Sequence, residues 1–159
     1  MLFFLATPEY NNIQSNTTKV KVHLRNGVAE ILDQHQDLMG KVENNLLEIE
    51  TNFENKLEKL IFVLQDAVFI VSNKGLQTNI ESQNTGVYVY AKRVREITSA
   101  TSIDEIVKQY DQKNSTLEIE MAKLATETNS AKLNSRIFLL KEEVEFLRRV
   151  VTIVKGLKA

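Results

Sequence analysis

The sequence predicts an α+β fold in which an N-terminal antiparallel β-sandwich is followed by a C-terminal hairpin of two antiparallel helices. Short apolar segments separated by turn-forming residues recur up to residue 90, which is typical of strands. Residues 87–155 contain neither Gly nor Pro, which favours helix in the second part of the chain. The C-terminal segment then carries an unbroken heptad pattern. We place a β-sandwich domain at residues 1–97 and a helical hairpin domain at residues 98–159.

The composition is that of an ordinary globular protein and excludes several functional classes. The 159 residues are 43% apolar and 26% charged, which is enough for a hydrophobic core. The 20 basic and 21 acidic side chains nearly balance, so we expect no polycationic surface for nucleic acid. The absence of Cys excludes disulfide scaffolds, thiolate metal sites and thiol nucleophiles. No segment approaches the roughly 20 apolar residues that cross a bilayer, so we expect no direct membrane insertion.

Alternating apolar residues predict the strands of the sandwich. In residues 19–24, Val20, Val22 and Leu24 lie on one face, and the segment ends at Asn26 and Gly27, a strong hairpin signal. Further strands are predicted at 2–7, 28–32, 46–51, 57–63, 67–72 and 87–90, with turns at 52–55 and 73–75. The polar residues 77–85 lack periodicity and predict an exposed loop.

Two helices are predicted in the second part of the chain. Ser102 precedes an apolar and acidic first turn and can cap a helix that begins at Ile103. Polar and β-branched residues at 126–130 favour a chain reversal, and Ser130 can cap the second helix. A single long helix over residues 103–155 is the alternative, although it would expose its apolar stripe.

The second helix carries a heptad seam, which we identify as a candidate contact surface for partners. Its members recur at alternating spacings of four and three residues: Leu133, Ile137, Leu140, Val144, Leu147 and Val151. Further apolar residues lie off this seam: Phe138, Leu139, Phe146, Val150 and Ile153. One partner helix cannot cover both sets, so we expect a second partner for this helix.

No arrangement of catalytic or metal-binding residues is found in the sequence. His23 and His35 have no nucleophile or metal ligand at a known spacing, so exposed strand and loop positions are the simpler interpretation. A solvated strand end is the simpler explanation for the basic residues Lys92, Arg93 and Arg95. No Gly-rich phosphate-binding motif occurs in the sequence. We therefore predict a non-catalytic protein without cofactor or bound metal that works through contacts.

Several local sequences resemble the epsilon subunit of F-type ATP synthases, whose mitochondrial counterpart is named delta. Residues 2–8 are similar to the family's first strand, which ends in Thr-Pro, here at Pro8. The family pattern G-x-x-x-I-L-x-x-H-x-x-L is matched by Gly27, Ile31, Leu32, His35 and Leu38. Residues 60–63, 68–71 and 87–91 resemble later strands of the family. The resemblance implies a β-sandwich followed by a two-helix hairpin, and we call these six named residues the family motif.

Two features depart from the family pattern. Gln65, Asp66 and Ala67 stand where the family commonly carries Gly-Gly between paired strands, so we expect a differently built turn. Members that bind ATP carry an I/L-D-x-x-R-A motif on the helical hairpin. Residues 103–104 fit its start, but Val107 and Lys108 stand in place of Arg and Ala, which argues against an ATP site.

The resemblance implies a non-catalytic rotor subunit in the central stalk of an F-type or F-like rotary ATPase. The sandwich would contact a gamma-type stalk subunit and, where one is present, the membrane rotor ring. The helices would fold on the sandwich or extend to the alpha/beta catalytic head and restrain ATP hydrolysis. Such a subunit is peripheral, on the cytoplasmic face of a bacterial membrane or at an organelle inner membrane. The alternative is an adaptor whose β module docks a target and whose helices form a coiled coil.

Overall fold

The computed structural model describes residues 1–9, 12–73, 85–126 and 130–159. The chain forms two compact units, Met1–Ser99 and Ala100–Ala159. The first unit contains eight strands: β1 Leu2–Ala6, β2 Ile13–Asn16, β3 Lys19–Leu24, β4 Gly27–Leu32, β5 Leu38–Val42, β6 Asn45–Phe53, β7 Lys56–Ser72 and β8 Gly86–Ile97. The second unit contains two helices, α1 Ile103–Thr126 and α2 Ala131–Lys158. The predicted α+β architecture of a strand-rich unit followed by two helices is confirmed.

The eight strands form one continuous sheet in the order β2-β1-β8-β7-β6-β3-β4, with β5 also paired to β7. All neighbouring strands are antiparallel except β1 and β8, which run parallel from Leu2 opposite Gly86 to Ala6 opposite Tyr90. The parallel pair joins the first strand of the unit to the last, so no tight hairpin forces these two strands to be antiparallel.

Strand β7 exchanges neighbours part-way along its 17 residues. Residues 56–64 pair with β6, residues 67–71 pair with β5, and β8 follows the other side of β7 from Ile61 to Ser72. The change falls at Asp66, which has a φ of 45° and no partner in the ladder with β8. The predicted turn at residues 65–67 is therefore wrong, because the strand continues through a left-handed residue instead of reversing.

The sheet folds over on itself and encloses one hydrophobic core. The buried side chains of this core come from seven of the eight strands: Phe3, Leu5, Val20, Val22, Ile31, Val42, Leu47, Ile49, Phe62, Leu64, Ala67, Phe69, Val71, Val87, Val89 and Ala91. Strands β1 and β3 lie far apart in the pairing order but bury side chains in this same cluster. The sheet is thus a sandwich, in which inward and outward side chains alternate along each strand.

Two turns show how local sequence sets the register of the sheet. Between β3 and β4, Leu24 pairs with Gly27, whose φ of 150° is accessible to Gly but rarely to other residues. Between β6 and β7, Glu54 and Asn55 both adopt left-handed conformations, with φ of 48° and 63°, as a two-residue type I′ hairpin requires.

Strands β2 and β5 were not predicted from the sequence. Strand β5 contains Gly40, at which a Cβ atom would lie 2.6 Å from the ring of Phe69. Close packing of that ring on bare backbone explains why a Gly interrupts the apolar alternation.

The predicted loop at 77–85 lies outside the described residues except for Thr85, and the predicted turn at 73–75 lies outside them except for Asn73.

The second unit is a pair of antiparallel helices with the predicted caps. Glu105 N donates to Ser102 Oγ at 3.4 Å, and Leu133 N donates to Ser130 Oγ at 3.1 Å. The single long helix is excluded because α1 and α2 pack along each other. No helix in the described ranges is long and apolar enough to cross a membrane.

The left-handed conformation of Asp66 gives a first testable prediction. We expect Asp66→Val to lower the free energy of unfolding by about 1–2 kcal/mol, because a β-branched residue is poorly tolerated at positive φ. Glu58→Val is the matched control, since Glu58 is exposed in the regular part of the same strand. Urea denaturation of both variants measures the difference. Equal effects would show that Asp66 does not constrain the sheet.

Candidate functional site

The structure separates the six residues of the family motif along the sandwich. Ile31 is buried in the core, whereas Leu32, His35 and Leu38 surround the connection between β4 and β5. Pro8 is exposed beyond the end of β1, and Gly27 opens β4. The β4–β5 connection lies near the start of β1 and the end of β4. Pro8 lies beyond the opposite end of β1, and Gly27 lies at the opposite end of β4, so neither belongs to this connection.

The β4–β5 connection is held by a polar cluster that we define as Gln34, His35, Asp37, Asn73 and Thr85. Thr85 is fully buried, and its hydroxyl accepts from Gln34 N at 2.6 Å and donates to Asn73 Oδ1 at 2.7 Å. Asn73 Nδ2 donates to His35 O at 2.6 Å and to Asp37 Oδ1 at 3.3 Å, and Asn73 N donates to Asp37 Oδ1 at 3.0 Å. The cluster joins the connection to the end of β7 and the start of β8.

The geometry of His35 suits a structural position. Its Nδ1 donates to the carbonyl of Gln36 at 2.8 Å, and its backbone N donates to Leu32 O at 3.1 Å. A carbonyl can only accept, so Nδ1 carries the hydrogen. Both contacts hold the connection in a compact turn that begins with Gln34 at a φ of 63°. His35 therefore fixes the shape of this loop.

Exposed apolar side chains flank the polar cluster, and we call Leu32, Leu38 and Met39 the apolar flank. All three are exposed, Met39 to 69%. Leu38 and Met39 open β5, where their backbones pair with Val71 and Ile70 of β7. The apolar flank is thus carried by paired strands on both sides of a loop that many hydrogen bonds fix. A rigid, partly apolar surface of this kind is suited to contact with another protein.

The outer face of β3, β4, β6 and β7 carries alternating charges. Lys19 Nζ lies 3.0 Å from Glu50 Oε2 and 3.1 Å from Glu30 Oε1, so one cation serves carboxylates on both neighbouring strands. Its hydrogen bonds to Glu50 and then to Glu30 raise the pKa of Lys19 above the ordinary value of 10.5. These contacts pin the register of three strands.

A second charged group on this face is centred on Glu48. His23 Nε2 lies 2.9 Å from Glu48 Oε1, and Lys59 Nζ contacts Glu48 Oε2. Burial of the Glu48 carboxyl favours its neutral form, but the hydrogen bonds and charges of Lys59 and His23 outweigh this effect and lower its pKa below 4.5. His23, which the sequence placed on an exposed strand face, therefore makes a cross-strand hydrogen bond to Glu48.

The heptad seam of α2 is largely buried. Its first four members, Leu133, Ile137, Leu140 and Val144, form a cluster with Leu117 of α1, against which Tyr110 and Leu124 also pack. Leu147 is buried as well, and Val151 is half-buried. The spacing of four and three thus describes a helix packed on an antiparallel partner in the same chain. A role of these residues in contacts with other chains stays a prediction.

A buried carboxylate interrupts the apolar contact between α1 and α2. Glu120 of α1 is 4% exposed, and its Oε1 lies 3.3 Å from Lys123 Nζ and 3.8 Å from Arg136 of α2. Lys113 and Glu143 form a second interhelical pair at 3.2 Å, and Lys158 donates to Thr101 O. These pairs favour the observed register of the hairpin, because slipping one helix would separate Glu120 from Arg136 and leave it with only Lys123 of its own helix.

The apolar residues off the seam divide into two groups. Phe146, Val150 and Ile153 in the C-terminal part of α2 are buried, whereas Phe138 and Leu139 nearer its start are exposed. Ile119 and Met121 of α1 are exposed as well. We call Phe138 and Leu139, which are adjacent on α2, the helix patch. These two large apolar side chains are exposed and remain available to a partner.

Within the described ranges, no group of three or more His, Asp or Glu side chains is placed to hold a metal ion.

Sequence reasoning missed the polar cluster, apart from His35, and the buried Glu120. The only signal for the cluster is the concentration of polar residues in 33–37, since Asn73 and Thr85 are brought there by strand pairing. Glu120 could have been recognised by its position between seam-facing Leu117 and Leu124.

Comparison with known proteins gives a match at the level of structure. Neither the protein-family models nor the curated proteins match the sequence. A chain in the structure of the Euglena gracilis mitochondrial ATP synthase, comprising OSCP, F1 and c-ring, matches with a TM-score of 0.54 and 12% identity, covering 94% of this chain and 79% of that one. A chain of the Tetrahymena thermophila mitochondrial ATP synthase central stalk and c-ring gives a TM-score of 0.48 and 10% identity, covering 94% and 95%.

The protein has the fold of a chain in a mitochondrial ATP synthase structure. The match extends over both the strand unit and the helical unit, because it covers 94% of the residues. At 12% identity it concerns the fold, and the roles of individual side chains rest on the geometry described above.

The fully buried hydroxyl of Thr85 provides a test of the polar cluster. We expect Thr85→Val to lower the free energy of unfolding by about 1–2 kcal/mol, because it removes both hydrogen bonds of a buried hydroxyl, from Gln34 N and to Asn73 Oδ1, while Gln34 N keeps its bond to Asp33 Oδ1. Thr18→Val removes one exposed hydrogen bond, to Glu50 O at 3.0 Å, and is expected to cost less than about 1 kcal/mol. Urea denaturation compares them, and a Thr85→Val loss no larger than the control would contradict this role.

The lowered pKa of Glu48 predicts a pH-dependent contribution to stability. A carboxyl with a lower pKa in the folded state stabilises the fold above its unfolded pKa near 4.5, and this contribution is lost as the pH falls through the folded value. We expect Glu48→Gln to be less stable than the native chain by about 1 kcal/mol at pH 7 and the difference to shrink below pH 4.5. Urea denaturation from pH 7 to pH 3 measures this. Glu58→Gln, exposed on β7, should show no such trend.

Proposed function

We propose that this chain is a non-catalytic, epsilon-type subunit in the central stalk of an F-type or F-like rotary ATPase. The observation that carries the proposal is the shared fold, a β-sandwich unit followed by a helical hairpin, which matches a chain of the Euglena gracilis ATP synthase over 94% of this chain. The family motif at Gly27, Ile31, Leu32, His35 and Leu38 supports the same assignment from the sequence. Such a subunit couples rotation to ATP synthesis or hydrolysis and ion transport.

The sandwich is proposed to contact the gamma-type stalk subunit and, where one is present, the membrane rotor ring. The apolar flank and the polar cluster support this assignment, because together they form a stiff surface with exposed apolar side chains. Contact with a membrane-embedded ring would place the chain peripherally at an energy-transducing membrane. No chemistry is required of the subunit in this arrangement.

The helical hairpin is proposed to act on the alpha/beta catalytic head. The helix patch supports a regulatory contact, since Phe138 and Leu139 are exposed although they belong to a helix that is otherwise well packed. The ATP-binding motif of the family has Arg and Ala where this chain has Val107 and Lys108. This replacement favours regulation by contact over regulation by bound ATP. In this proposal the hairpin restrains ATP hydrolysis.

Affinity purification of the full-length tagged chain from its own cells tests the proposal. We expect nucleotide-hydrolysing alpha and beta subunits and a gamma-like coiled-coil protein to co-purify. Met39→Asp in the apolar flank should reduce recovery of the rotor-ring protein at least about tenfold, because a charge would enter an apolar interface. Leu57→Asp is the matched control, since Leu57 is 64% exposed against 69% for Met39 but lies near the β6–β7 turn.

Two results would overturn this function. One is recovery of the native chain without any of these subunits, as a homodimer whose population depends on concentration, which is what an adaptor with a coiled coil predicts. The other is equal loss of partners from Met39→Asp and Leu57→Asp. A native circular dichroism spectrum for each variant is required, so that unfolding is not mistaken for a lost contact.

A further inference from the structure

Strand β4 forms one end of the eight-stranded pairing order and is paired only with β3 among the described residues. A strand at a sheet edge presents a row of backbone donors and acceptors that can pair with another extended chain. The other end of the order, β2, is short and polar, with the sequence Ile-Gln-Ser-Asn. Strand β4 is longer and carries exposed apolar residues, so it is the less protected edge.

The register of the β3–β4 hairpin shows which backbone groups face the free edge. Leu24 and Gly27 close a two-residue turn, so they form a hydrogen-bonded pair. Antiparallel pairs alternate, and therefore Ala29 and Ile31 of β4 also bond to β3. The N–H and C=O groups of the intervening residues, at positions 28, 30 and 32, point away from β3. One of these carbonyls, that of residue 32, accepts from His35 N.

The residues whose backbone groups face the free edge also have their side chains on the outer face of the sandwich. Val28 is 55% exposed and Leu32 is 52% exposed, and the Glu30 side chain between them is 49% exposed. The intervening Ile31 is buried in the core. An added strand would therefore meet an apolar, an acidic and an apolar side chain at every second position.

The charge at the centre of this edge restricts what can be added. Glu30 shares Lys19 with Glu50, so the cation serves two carboxylates at 3.0 and 3.1 Å. Lys21 lies opposite Glu30 in the register, but the structure gives no ion pair between them. A Lys or Arg side chain on an added strand, placed directly opposite Glu30, would give this carboxylate a cation of its own.

The same charge disfavours a second copy of this chain as the added strand. Antiparallel pairing of two β4 strands over the whole edge places Val28 opposite Leu32 and Glu30 opposite its own copy. Like charges directly opposite each other destabilise a pair of strands. Glu30 therefore protects the edge from self-association while leaving it open to a strand with a basic centre.

We infer that β4 accepts an extended segment of a different polypeptide as an additional strand of the sandwich. The segment has Lys or Arg at the position facing Glu30 and apolar residues two positions before and after it. Backbone hydrogen bonds to residues 28 and 30 and to the N–H of residue 32 supply affinity, and the three outer side chains supply selectivity. This inference shares Leu32 with the apolar flank but does not involve Met39, and it does not depend on the rotary-ATPase proposal.

Hydrogen exchange of the full chain, followed by NMR, tests the added strand. The probe is the peptide acetyl-Thr-Val-Thr-Lys-Thr-Val-Thr-amide, and its twin has Glu in place of Lys. In the free chain, the amides of Val28 and Glu30 should exchange at least about tenfold faster than those of Ala29 and Ile31. The Lys peptide should slow Val28 and Glu30 at least about tenfold, and the Glu peptide should slow them less than about twofold.

Substitution of Glu30 separates strand addition from other binding. Glu30→Lys should reverse the preference, so that the Glu peptide protects Val28 more than the Lys peptide does. Glu58→Lys makes the same charge change on an exposed position of β7 and should leave the preference unchanged. If Glu30→Lys fails to fold, Glu30→Gln is used instead and should remove the preference.

Three results would overturn the inference. The first is a Lys peptide that leaves the exchange of Val28 and Glu30 unchanged at millimolar concentration. The second is equal protection by both peptides, which would show that Glu30 does not select the strand. The third is protection of Val28 and Glu30 in the native chain alone at high concentration, together with dimerisation, because a second copy would then occupy the edge.

Discussion

The sandwich depends on the continuity of β7 through Asp66. Because β7 keeps β8 on one side while its neighbour on the other side changes from β6 to β5, one strand belongs to both layers of the folded sheet. The layers therefore share backbone hydrogen bonds as well as apolar contacts. The core residues Phe62 and Leu64 precede the left-handed residue, and Ala67 and Phe69 follow it, so the same strand lines the core on both sides of the change.

This construction explains which parts of the fold could be predicted from the sequence. The β3–β4 hairpin and the two helix caps depend on neighbouring residues, and their signals at Gly27, Ser102 and Ser130 are local. Strand β5 is specified by tertiary packing, since Gly40 makes room for the ring of Phe69. The conformation of Asp66 was also not evident, because Asp occurs in regular as well as left-handed backbone and the sequence offers no Gly there.

The candidate surfaces also differ in how far the local sequence could predict them. The heptad seam repeats along one helix, so its periodicity alone located Leu133, Ile137, Leu140 and Val144 at a buried contact. The polar cluster instead joins Gln34 to Thr85 across 51 positions of the sequence. The pairing of β5 with β7 and of β7 with β8 brings these residues together, and no local pattern encodes it. Of the five residues in that cluster, the family resemblance identified His35 alone.

Transmission of force through the first unit, as the proposed rotor role requires, depends on how rigidly its surfaces are joined. Leu38 and Met39 of the apolar flank begin β5, which pairs with β7, and the polar cluster fastens the preceding loop to the ends of β7 and β8. A load applied at Met39 would therefore pass into the two longest strands of the sheet. Glu30 lies on β4, whose strand pairing reaches β7 through β3 and β6. A strand added along β4 would share Leu32 with the apolar flank but would not pair with β5 or β7, so the edge suits retention of a partner, whereas Met39 suits a contact that bears load.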